Sequence, residues 1–548
     1  MTEKVVVIGP ALSQTGYGEQ CRFALRSLLS RPDLFDVYLK PTNWGSSSWL
    51  LPDDKDRQWI DELVVKTANY VRAGVESYDI SLQVTIPNEW KKIAPINIGY
   101  TAGIETTKVS TKWVENSFLM DKIITVASHG ADVYVGTFCE AVNNQTKERV
   151  TINPQTPMIP VNYPVRHYNA APIDIDLKHD FNYLAVAQWG PRKNLENTIR
   201  WWLEEFQDEE VGLVVKTNLV KTSLIDRFHT KDRLKGLLRE FPNRKCKVYL
   251  IHGNLSPEEM TSLYQHEQIK CLVSLTHGEG FGLPLFEAAY NGLPIIAPHW
   301  SGQTDFLSAP RKIRKNKKLV KKVVPCIAEV KYKLDKIPSE VVWEHVLEAD
   351  SSWCYPLKDS YQTQLRNVHD NYNRFANMAK DLKQHILKTF TTENQYEMFN
   401  NVVSSNPTVK VKKEDLPKVS IITSIYDGDE FIRPFLEDIT RQTIFDQCEL
   451  ILINANSPGN EEGVINEYLE KYDNIIYKRL KKDPGIYGVW NKGVKLATGE
   501  YITNANLDDR KSPDSLEMHA KHLFMNDDVD LVYSDMLITG EPNETWDN

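Results

Sequence analysis

The sequence predicts an α/β protein with parallel sheets, arranged as two consecutive α/β halves and a third, shorter α/β part. Short apolar segments alternate with amphipathic segments of helical length, which is typical of parallel sheets covered by helices. The polar segment 404–417, which contains two prolines, interrupts this pattern and indicates a linker. The pattern then restarts at residues 418–424 (KVSIITS), which favours a separate third part.

The composition narrows the class of protein. The 548 residues are enough for three or four domains, and the net charge of −9 argues against general nucleic-acid binding, which needs excess Lys and Arg. No apolar run is long enough to cross a bilayer, although peripheral membrane contact stays open. The seven cysteines form no CxxC or Cys/His cluster, so we expect no zinc site and a reducing, cytoplasmic compartment.

The first half is predicted to begin with a buried strand at residues 4–9 (KVVVIG). A loop containing Gly16 and Gly18 follows, and then an amphipathic helix from about residue 19 to 29. Further apolar segments predict the other strands of one parallel sheet, at residues 37–40, 79–85, 96–100, 122–127 and 158–161.

The second half is predicted to start near residue 180 with a new set of strands and helices. The expected strands are residues 183–187, 211–217, 270–275 and 293–297. The expected helices are residues 195–206 and 283–290, with closing helices over about 360–403. The basic segment 311–322 is interpreted as a solvated loop, the alternative being a docking site for an anionic membrane or polymer.

A glycine-rich stretch between a strand and a helix is the most informative feature. Residues 276–283 (THGEGFGL) precede a helix with Pro284 in its first turn, where proline is well tolerated. Free backbone N–H groups and a helix N-terminus suit an anionic ligand such as a diphosphate. The two carboxylates, Glu279 and Glu287, are suited to accept hydrogen bonds from sugar or ribose hydroxyls.

This stretch resembles the donor-binding motif of retaining GT-B glycosyltransferases of family 4, in which two Glu are separated by seven residues around Gly-Phe-Gly-Leu-Pro. The resemblance implies a GT-B fold, which has two Rossmann-like domains. It also implies that Glu287 holds the nucleotide ribose and that Glu279 lies by the donor sugar. The donor sugar and phosphates would lie near the backbone of Gly280, Phe281, Gly282 and Leu283.

The same resemblance implies further donor contacts. Arg192 and Lys193 match the basic pair that grips the diphosphate, and Lys216 at a predicted strand end is a candidate for an additional charge. Gly16 and Gly18 match the loop after the first strand, which approaches the donor phosphates or the acceptor. The alternative interpretation of these residues is an ordinary flexible or solvated loop.

A second segment of the first half, residues 97–114, also resembles this family. Thr101, Gly103, Glu105 and Thr106 are the candidates there, and Glu105 and Thr101 join Glu279 as candidate catalytic residues. Many family members have a histidine near this place that touches the donor sugar, and this chain has none at the matching position. The alternative for Glu105 is a carboxylate at a helix N-terminus that faces water.

The third part resembles a different family, the GT-A glycosyltransferases of family 2. The resemblance rests on residues 483–493 (DPGIYGVWNKG), 497–502 (ATGEYI) and the acidic turn 506–510 (NLDDR). It implies an Asp-x-Asp-type turn that binds Mg²⁺ or Mn²⁺ through Asp508 and Asn506. The second-strand end, usually acidic in this family, carries amides at Asn454 and Asn456, and Asp535 is the only nearby candidate for a catalytic base.

Together these features predict a cytoplasmic glycosyltransferase. We expect a GT-B unit of residues 1–170 and 171–405, a linker at 406–417, and an incomplete GT-A-like α/β domain at 418–548, predicted to have a strand at 531–534. The donor would be a nucleotide-sugar, whose sugar is transferred to a glycan or lipid-linked acceptor. For the GT-B unit the resemblance implies transfer with retention of configuration, and we expect no metal there. The alternatives are an inactive nucleotide-sugar or carbohydrate-binding module and a GT-B-fold nucleotide-sugar epimerase.

Overall fold

The computed structural model describes residues 2–74, 76–142, 149–315, 318–405, 413, 416–525 and 529–534. The chain divides into two compact units, Met1–Pro407 and Thr408–Asn548. Most of the predicted linker and the candidate base Asp535 lie outside the described residues. In the described part of the chain, no helix combines the length and the apolar character that a membrane span requires.

The first sheet of unit 1 has six parallel strands in the order β2-β1-β3-β4-β5-β8. The strands are β1 Glu3–Gly9, β2 Phe35–Pro41, β3 Ile80–Val84, β4 Ile96–Thr101, β5 Lys122–Thr125 and β8 Met158–Pro160, and β6 Cys139–Val142 pairs with β7 Arg149–Ile152 in a hairpin. The helices are α1 Gly16–Leu29, α2 Lys55–Arg72, α3 Thr111–Ser117 and α4 Ser128–Val135. Helix α1 begins before the predicted residue 19 because the Thr15 side chain accepts a hydrogen bond from the Gly18 N–H and caps it.

The second sheet also has six parallel strands, in the order β11-β10-β9-β12-β13-β16. The strands are β9 Asn182–Val186, β10 Gly212–Lys216, β11 Lys247–Ile251, β12 Ile269–Val273, β13 Ile295–Ala297 and β16 Ala328–Glu329. The helices are α5 Leu195–Phe206, α6 Leu224–Arg239, α7 Pro257–Gln265, α8 Leu283–Asn291, α9 Lys358–Asp370, α10 Tyr372–Thr389 and α11 Thr392–Val403. Two antiparallel pairs accompany it, β14 Ser308–Lys315 with β15 Lys318–Pro325 and β17 Tyr332–Lys336 with β18 Ser352–Pro356.

The closing helices tie the two sheets together. Phe399 of α11 lies with its ring centroid 5.2 Å from those of Phe23 and Tyr100, in the core of the first sheet. Lys122 of β5 donates a hydrogen bond of 2.9 Å to the carbonyl oxygen of Val402. One hydrophobic core therefore extends across both sheets, and it fixes the loops at their carboxyl edges relative to each other.

Unit 2 has one parallel sheet in the order β21-β20-β19-β22. Its strands are β19 Val419–Ile425, β20 Cys448–Asn454, β21 Ile475–Arg479 and β22 Tyr501–Asn504. Its helices are α12 Ile432–Thr440, α13 Glu461–Leu469, α14 Ile486–Leu496 and α15 Ser515–Met525. The α/β class and its parallel sheets are thus as predicted.

Two predictions about secondary structure are wrong. The basic segment 311–322 belongs to the β14–β15 hairpin and is not a loop, because its two strands pair in antiparallel register, with Arg311 opposite Lys322. The backbone hydrogen bonds of such a pair do not depend on side-chain charge. Residues 531–534 form no strand, and Leu531 and Tyr533 are exposed. An apolar segment becomes a strand only where a neighbouring strand accepts its backbone hydrogen bonds.

Candidate functional site

The glycine-rich loop joins β12 to α8 and lies against a loop of the first sheet. Gly282 has φ +98° at the start of α8, a left-handed conformation that favours glycine. A Cβ atom on Gly280 would lie 2.8 Å from the carbonyl oxygen of Ala102, so only glycine permits this approach. The loop therefore places the N-terminus of α8 close to the loop that follows β4.

Two basic side chains meet the carboxylate of this loop. Lys193 Nζ lies 2.7 and 2.6 Å from the two carboxylate oxygens of Glu279, and Arg192 Nη1 lies 3.4 Å from one of them. Arg192 also donates a hydrogen bond of 2.5 Å to the carbonyl oxygen of Gly278 and pairs with Glu105 at 3.2 Å. The structure thus brings four sequence-predicted residues, two cations and two carboxylates, into one cluster between the sheets.

Local backbone geometry places the two cations there. Pro191–Lys193 form a single 3₁₀ turn, and Asn194 follows with φ 51° and donates a side-chain hydrogen bond to the carbonyl oxygen of Leu275. The backbone N–H of His277 donates to the carbonyl oxygen of Arg192 at 2.8 Å. These bonds tie the basic turn to the glycine-rich loop, so the cations are held by backbone contacts as well as by their charges.

The charges of the cluster control its protonation. Burial opposes ionisation of Glu279, but Lys193 and Arg192 outweigh it and lower the pKa of this carboxyl below its usual value. Burial, followed by the charge of Arg192, lowers the pKa of Lys193, and Glu279 offsets this only in part. We therefore expect Glu279 to be ionised. The charged form of Lys193 is destabilised by burial, and a bound anion would stabilise it.

Glu287 occupies a different environment on the second turn of α8. It accepts a hydrogen bond of 2.9 Å from the hydroxyl of Tyr264, and burial raises its pKa to about 7. Lys216, at the end of β10, is within electrostatic reach of Glu287, and burial lowers its own pKa. A carboxyl with this pKa is half protonated near neutral pH, and bound hydroxyls that donate to it would favour its ionised form.

The candidates on the first sheet fall into two groups. Gly103, with φ +73°, and Glu105 lie beside the glycine-rich loop, and a Cβ atom on Gly278 would lie 2.7 Å from the carbonyl oxygen of Glu105. Thr101 is completely buried, and its Oγ1 lies 3.0 Å from the hydroxyl of Tyr17. This position does not fit direct contact with a donor, so we expect Thr101 to position Tyr17.

The remaining first-sheet candidates are Gly16, Gly18 and Thr106. Gly16 is exposed at the first position of α1, whereas Gly18 is buried, and a Cβ atom there would lie 1.9 Å from the carbonyl oxygen of Ser13. Thr106 is completely buried and donates a hydrogen bond of 2.9 Å to the carbonyl oxygen of Lys108. Of these three residues, Gly16 alone leaves room for a ligand.

Two histidines near the site, His277 and His129, were not predicted as site residues from the sequence. His277 shares a hydrogen bond of 2.6 Å with the carbonyl oxygen of Cys354, so its Nδ1 carries the proton, and its ring stacks on Trp353. His129 lies at the start of α4 with its ring 5.0 Å from that of Trp300, and burial lowers its pKa. The glycine-rich stretch itself contains His277, but no sequence signal marks His129, which only the fold brings to this edge.

In unit 2 the acidic turn follows β22, as predicted. Asp508 and Asp509 are exposed, and the side-chain amide of Asn506 donates a hydrogen bond of 2.9 Å to Asp509. The described residues contain no group of three or more His, Cys, Asp or Glu arranged to hold a metal. Two carboxylates and an amide suit Mg²⁺ or Mn²⁺ only together with donor phosphates, which commonly complete such a site.

Asn454 lies at the end of β20, where the family that this part resembles usually has an acidic residue. It is completely buried, and its side-chain oxygen accepts a hydrogen bond of 2.8 Å from the Ser457 N–H. Beside it, Glu461 accepts hydrogen bonds from the Gly428 N–H and the Ser457 hydroxyl. The amide therefore serves the loop backbone, and a buried glutamate that the sequence analysis did not select lies next to it.

Comparison with known proteins gives two family matches. Residues 183–311 match the family "Glycosyl transferases group 1", and residues 420–548 match "Glycosyl transferase family 2". Both predicted resemblances are confirmed by these matches. Each match covers less than half of the chain, and the second includes residues outside the described part of the structure.

Individual relatives align over short stretches. The chain is 31% identical over 125 residues to the uncharacterized glycosyltransferase MJ1057 of Methanocaldococcus jannaschii, which is 23% of this chain and 43% of that protein. It is 36% identical over 99 residues to the minor teichoic acid biosynthesis protein GgaB of Bacillus subtilis, 18% of this chain and 11% of that protein. The chain thus spans less than half the length of these relatives.

Among solved structures, the chain is similar to the sucrose-phosphate synthase of Thermosynechococcus elongatus. The TM-score is 0.44 at 11% identity, and the match covers 73% of this chain and 98% of that protein. We draw no functional conclusion from similarity at this level.

Proposed function

We propose that the protein is a glycosyltransferase that moves a sugar from a nucleotide-sugar to a hydroxyl of a glycan or lipid-linked acceptor. The observation that carries the proposal is the Lys193–Glu279–Arg192 cluster at the N-terminus of α8. It combines two cations and free backbone N–H groups for a diphosphate with a carboxylate for sugar hydroxyls.

The donor diphosphate would bind Lys193 and Arg192 and replace part of the contact that these cations make with Glu279. Glu279 would then accept hydrogen bonds from the donor sugar, with the backbone of residues 280–283 beside the phosphates. Glu287 would hold the ribose, with Lys216 nearby. Because Lys193, Arg192 and the backbone N–H groups at the start of α8 would face the diphosphate, we expect this site to need no metal. Transfer with retention is the outcome that the family resemblance favours.

Glu105 is proposed to orient Arg192, with which it pairs at 3.2 Å. Residues 1–170 and 171–405 are proposed as the two domains that close around the donor, and residues 418–548 as a second transferase domain. There Asp508 would hold a Mg²⁺ or Mn²⁺ ion together with donor phosphates, and Asn506 would contribute a neutral oxygen.

The test is incubation of the full chain and its Asp508→Asn variant with a panel of nucleotide-sugars, with and without hydroxyl acceptors. Transfer or slow donor hydrolysis that persists in Asp508→Asn and is lost in Lys193→Met supports the proposal. The exposed Lys55→Met serves as the matched control, because its side chain is 93% exposed. Tight binding without turnover would instead indicate a binding module, and a changed sugar on an unchanged nucleotide would indicate an epimerase.

A further inference from the structure

Helix α6 exposes apolar side chains and buries polar ones at its first turns, the reverse of an ordinary surface helix. Leu224 is 81% exposed, Ile225 72% and Phe228 68%, whereas Asp226 and Thr230 are buried. The three apolar residues have the spacing of one helix face. We call Val220, which is 56% exposed just before the helix, together with Leu224, Ile225 and Phe228 the α6 patch.

The patch is held in place by the buried side of the helix. Asp226 accepts backbone hydrogen bonds from Leu219, Val220 and Lys221 at 2.7–3.0 Å, and it contacts His252 at 2.8 Å. Through these contacts, Asp226 holds the loop before the helix in place. The apolar side chains are therefore fixed outward and do not reach the core by a small rotation of the helix.

The same helix carries a row of basic residues, which we call the basic row of α6. Arg227, Lys231, Lys235 and Arg239 recur at intervals of four and are all exposed. Within the described part of the chain, none of these four forms an ion pair with a carboxylate, and like charges at this spacing destabilise a helix. Residues 219–240 contain six Lys or Arg and three Asp or Glu, in a chain with a net charge of −9.

We propose that the α6 patch and its basic row bind the surface of an anionic lipid bilayer. Leu, Ile and Phe at the tip of a helix would insert among the lipid headgroups, and the cations behind them would pair with anionic headgroups. Helix α6 follows β10, whose last residue, Lys216, lies near Glu287. Its first turn is therefore at the carboxyl edge of the second sheet, the edge that carries the donor-site candidates.

The size and charge of this surface favour lipid over a second protein. The four apolar side chains of the α6 patch are far fewer than the roughly 20 to 30 residues that each partner contributes to a stable protein interface. They are enough for reversible membrane binding when combined with several cations. The inference concerns a surface outside the donor site and does not depend on the proposed transferase activity.

The experiment is sedimentation of the full chain with vesicles of equimolar phosphatidylcholine and phosphatidylglycerol, beside vesicles of phosphatidylcholine alone. Binding is expected to the anionic vesicles and to weaken with added salt. The double variant Leu224→Gln, Phe228→Gln should lower the partition coefficient at least about tenfold. The double variant Arg227→Gln, Lys231→Gln should lower it roughly thirtyfold.

The matched control is Val65→Gln, Val71→Gln, which replaces two exposed apolar residues of α2 in the same unit and should leave binding unchanged. Circular dichroism of each variant verifies that it is folded. The proposal is overturned if the wild-type chain does not bind anionic vesicles or if the α6 variants bind as the wild type does. It is also overturned if only replacing basic residues of the β14–β15 hairpin abolishes binding, or if the α6 variants instead abolish self-association in solution.

Discussion

The pKa of Glu287 predicts a pH dependence of donor binding that its replacement should remove. Burial raises this pKa to about 7, so the carboxyl is half protonated at neutral pH before a donor binds. Ribose hydroxyls donate hydrogen bonds to the ionised form, so binding should release a proton. Affinity should therefore rise with pH and reach a plateau above the pKa that Glu287 has without a donor.

The magnitude follows from that pKa. One pH unit below it, about one carboxyl in eleven is ionised, and one unit above it about ten in eleven are ionised. The affinity should thus increase about tenfold between one unit below and one unit above the pKa, equivalent to about 1.4 kcal/mol. Glu287→Gln cannot titrate and should bind with a flat profile, which serves as the reference.

The assay is calorimetry with an intact nucleotide-sugar, because its diphosphate diester does not titrate in this range, unlike a free nucleoside diphosphate. Performing it in buffers of different ionisation enthalpy measures the released proton directly. Parallel profiles for the wild type and Glu287→Gln would refute the reasoning, since the titrating group would then be another residue such as Lys216.

The same pKa shift affects the stability of the protein without a bound donor. A carboxyl with a raised folded pKa stabilises the fold fully below its unfolded value of 4.5 and loses this contribution as the pH rises through about 7. The difference of 2.5 units corresponds to about 3 kcal/mol. The free energy of unfolding of the wild type, relative to Glu287→Gln, should fall by about this amount between pH 4.5 and 7.

Three further predictions concern the two proposed sites. Lys193→Met should weaken nucleotide-sugar binding by about 1.5–3 kcal/mol, because a charge-assisted hydrogen bond to the diphosphate is lost, and calorimetry beside Lys55→Met measures it; an unchanged affinity would contradict the assignment. In the Asp508→Asn variant, transfer by unit 1 should continue in EDTA, and loss of activity that Mn²⁺ restores would contradict a metal-free site. Asn506→Asp should raise the Mn²⁺ affinity of the full chain and Asp508→Asn should lower it, because Mn²⁺ binds more tightly to ligands that carry more negative charge. A Mn²⁺ titration in which both variants bind as the wild type does would show that the turn binds no metal.

Much of the donor-site reasoning was accessible from local sequence. The segment around Glu279 and Glu287 contains its own strand, glycine loop and helix start, so its geometry follows from nearby residues. The Pro191–Lys193 turn was also visible as a loop between a strand and a helix. The sequence did not reveal that Lys193 and Glu279 contact each other, since 86 residues separate them and only the pairing of β9 with β12 brings their loops together.

The tertiary contacts also explain where single-segment reasoning reaches its limit. The basic segment of β14 and β15 was predicted as a loop from its charge, but strand pairing depends on a neighbouring strand as well as on composition. Thr101 was selected from its motif, and the fold buries it with its Oγ1 3.0 Å from the Tyr17 hydroxyl, so its catalytic role stays a prediction. The composition of a single segment does not show which strand will pair with it or which residues will cover it.

By itself the sequence determined the α/β class, the two family resemblances, and the residues of the glycine-rich loop, because each depends on periodicity or on residues a few positions apart. The tertiary structure decided which charges meet, which candidates are buried, and that α6 exposes Leu224 and Phe228 while it buries Asp226. Periodicity identifies one face of a helix, but which face is covered depends on packing against segments far away in the chain. Burial and charge pairing arise from that packing, and they set the pKa values on which the proposed chemistry depends.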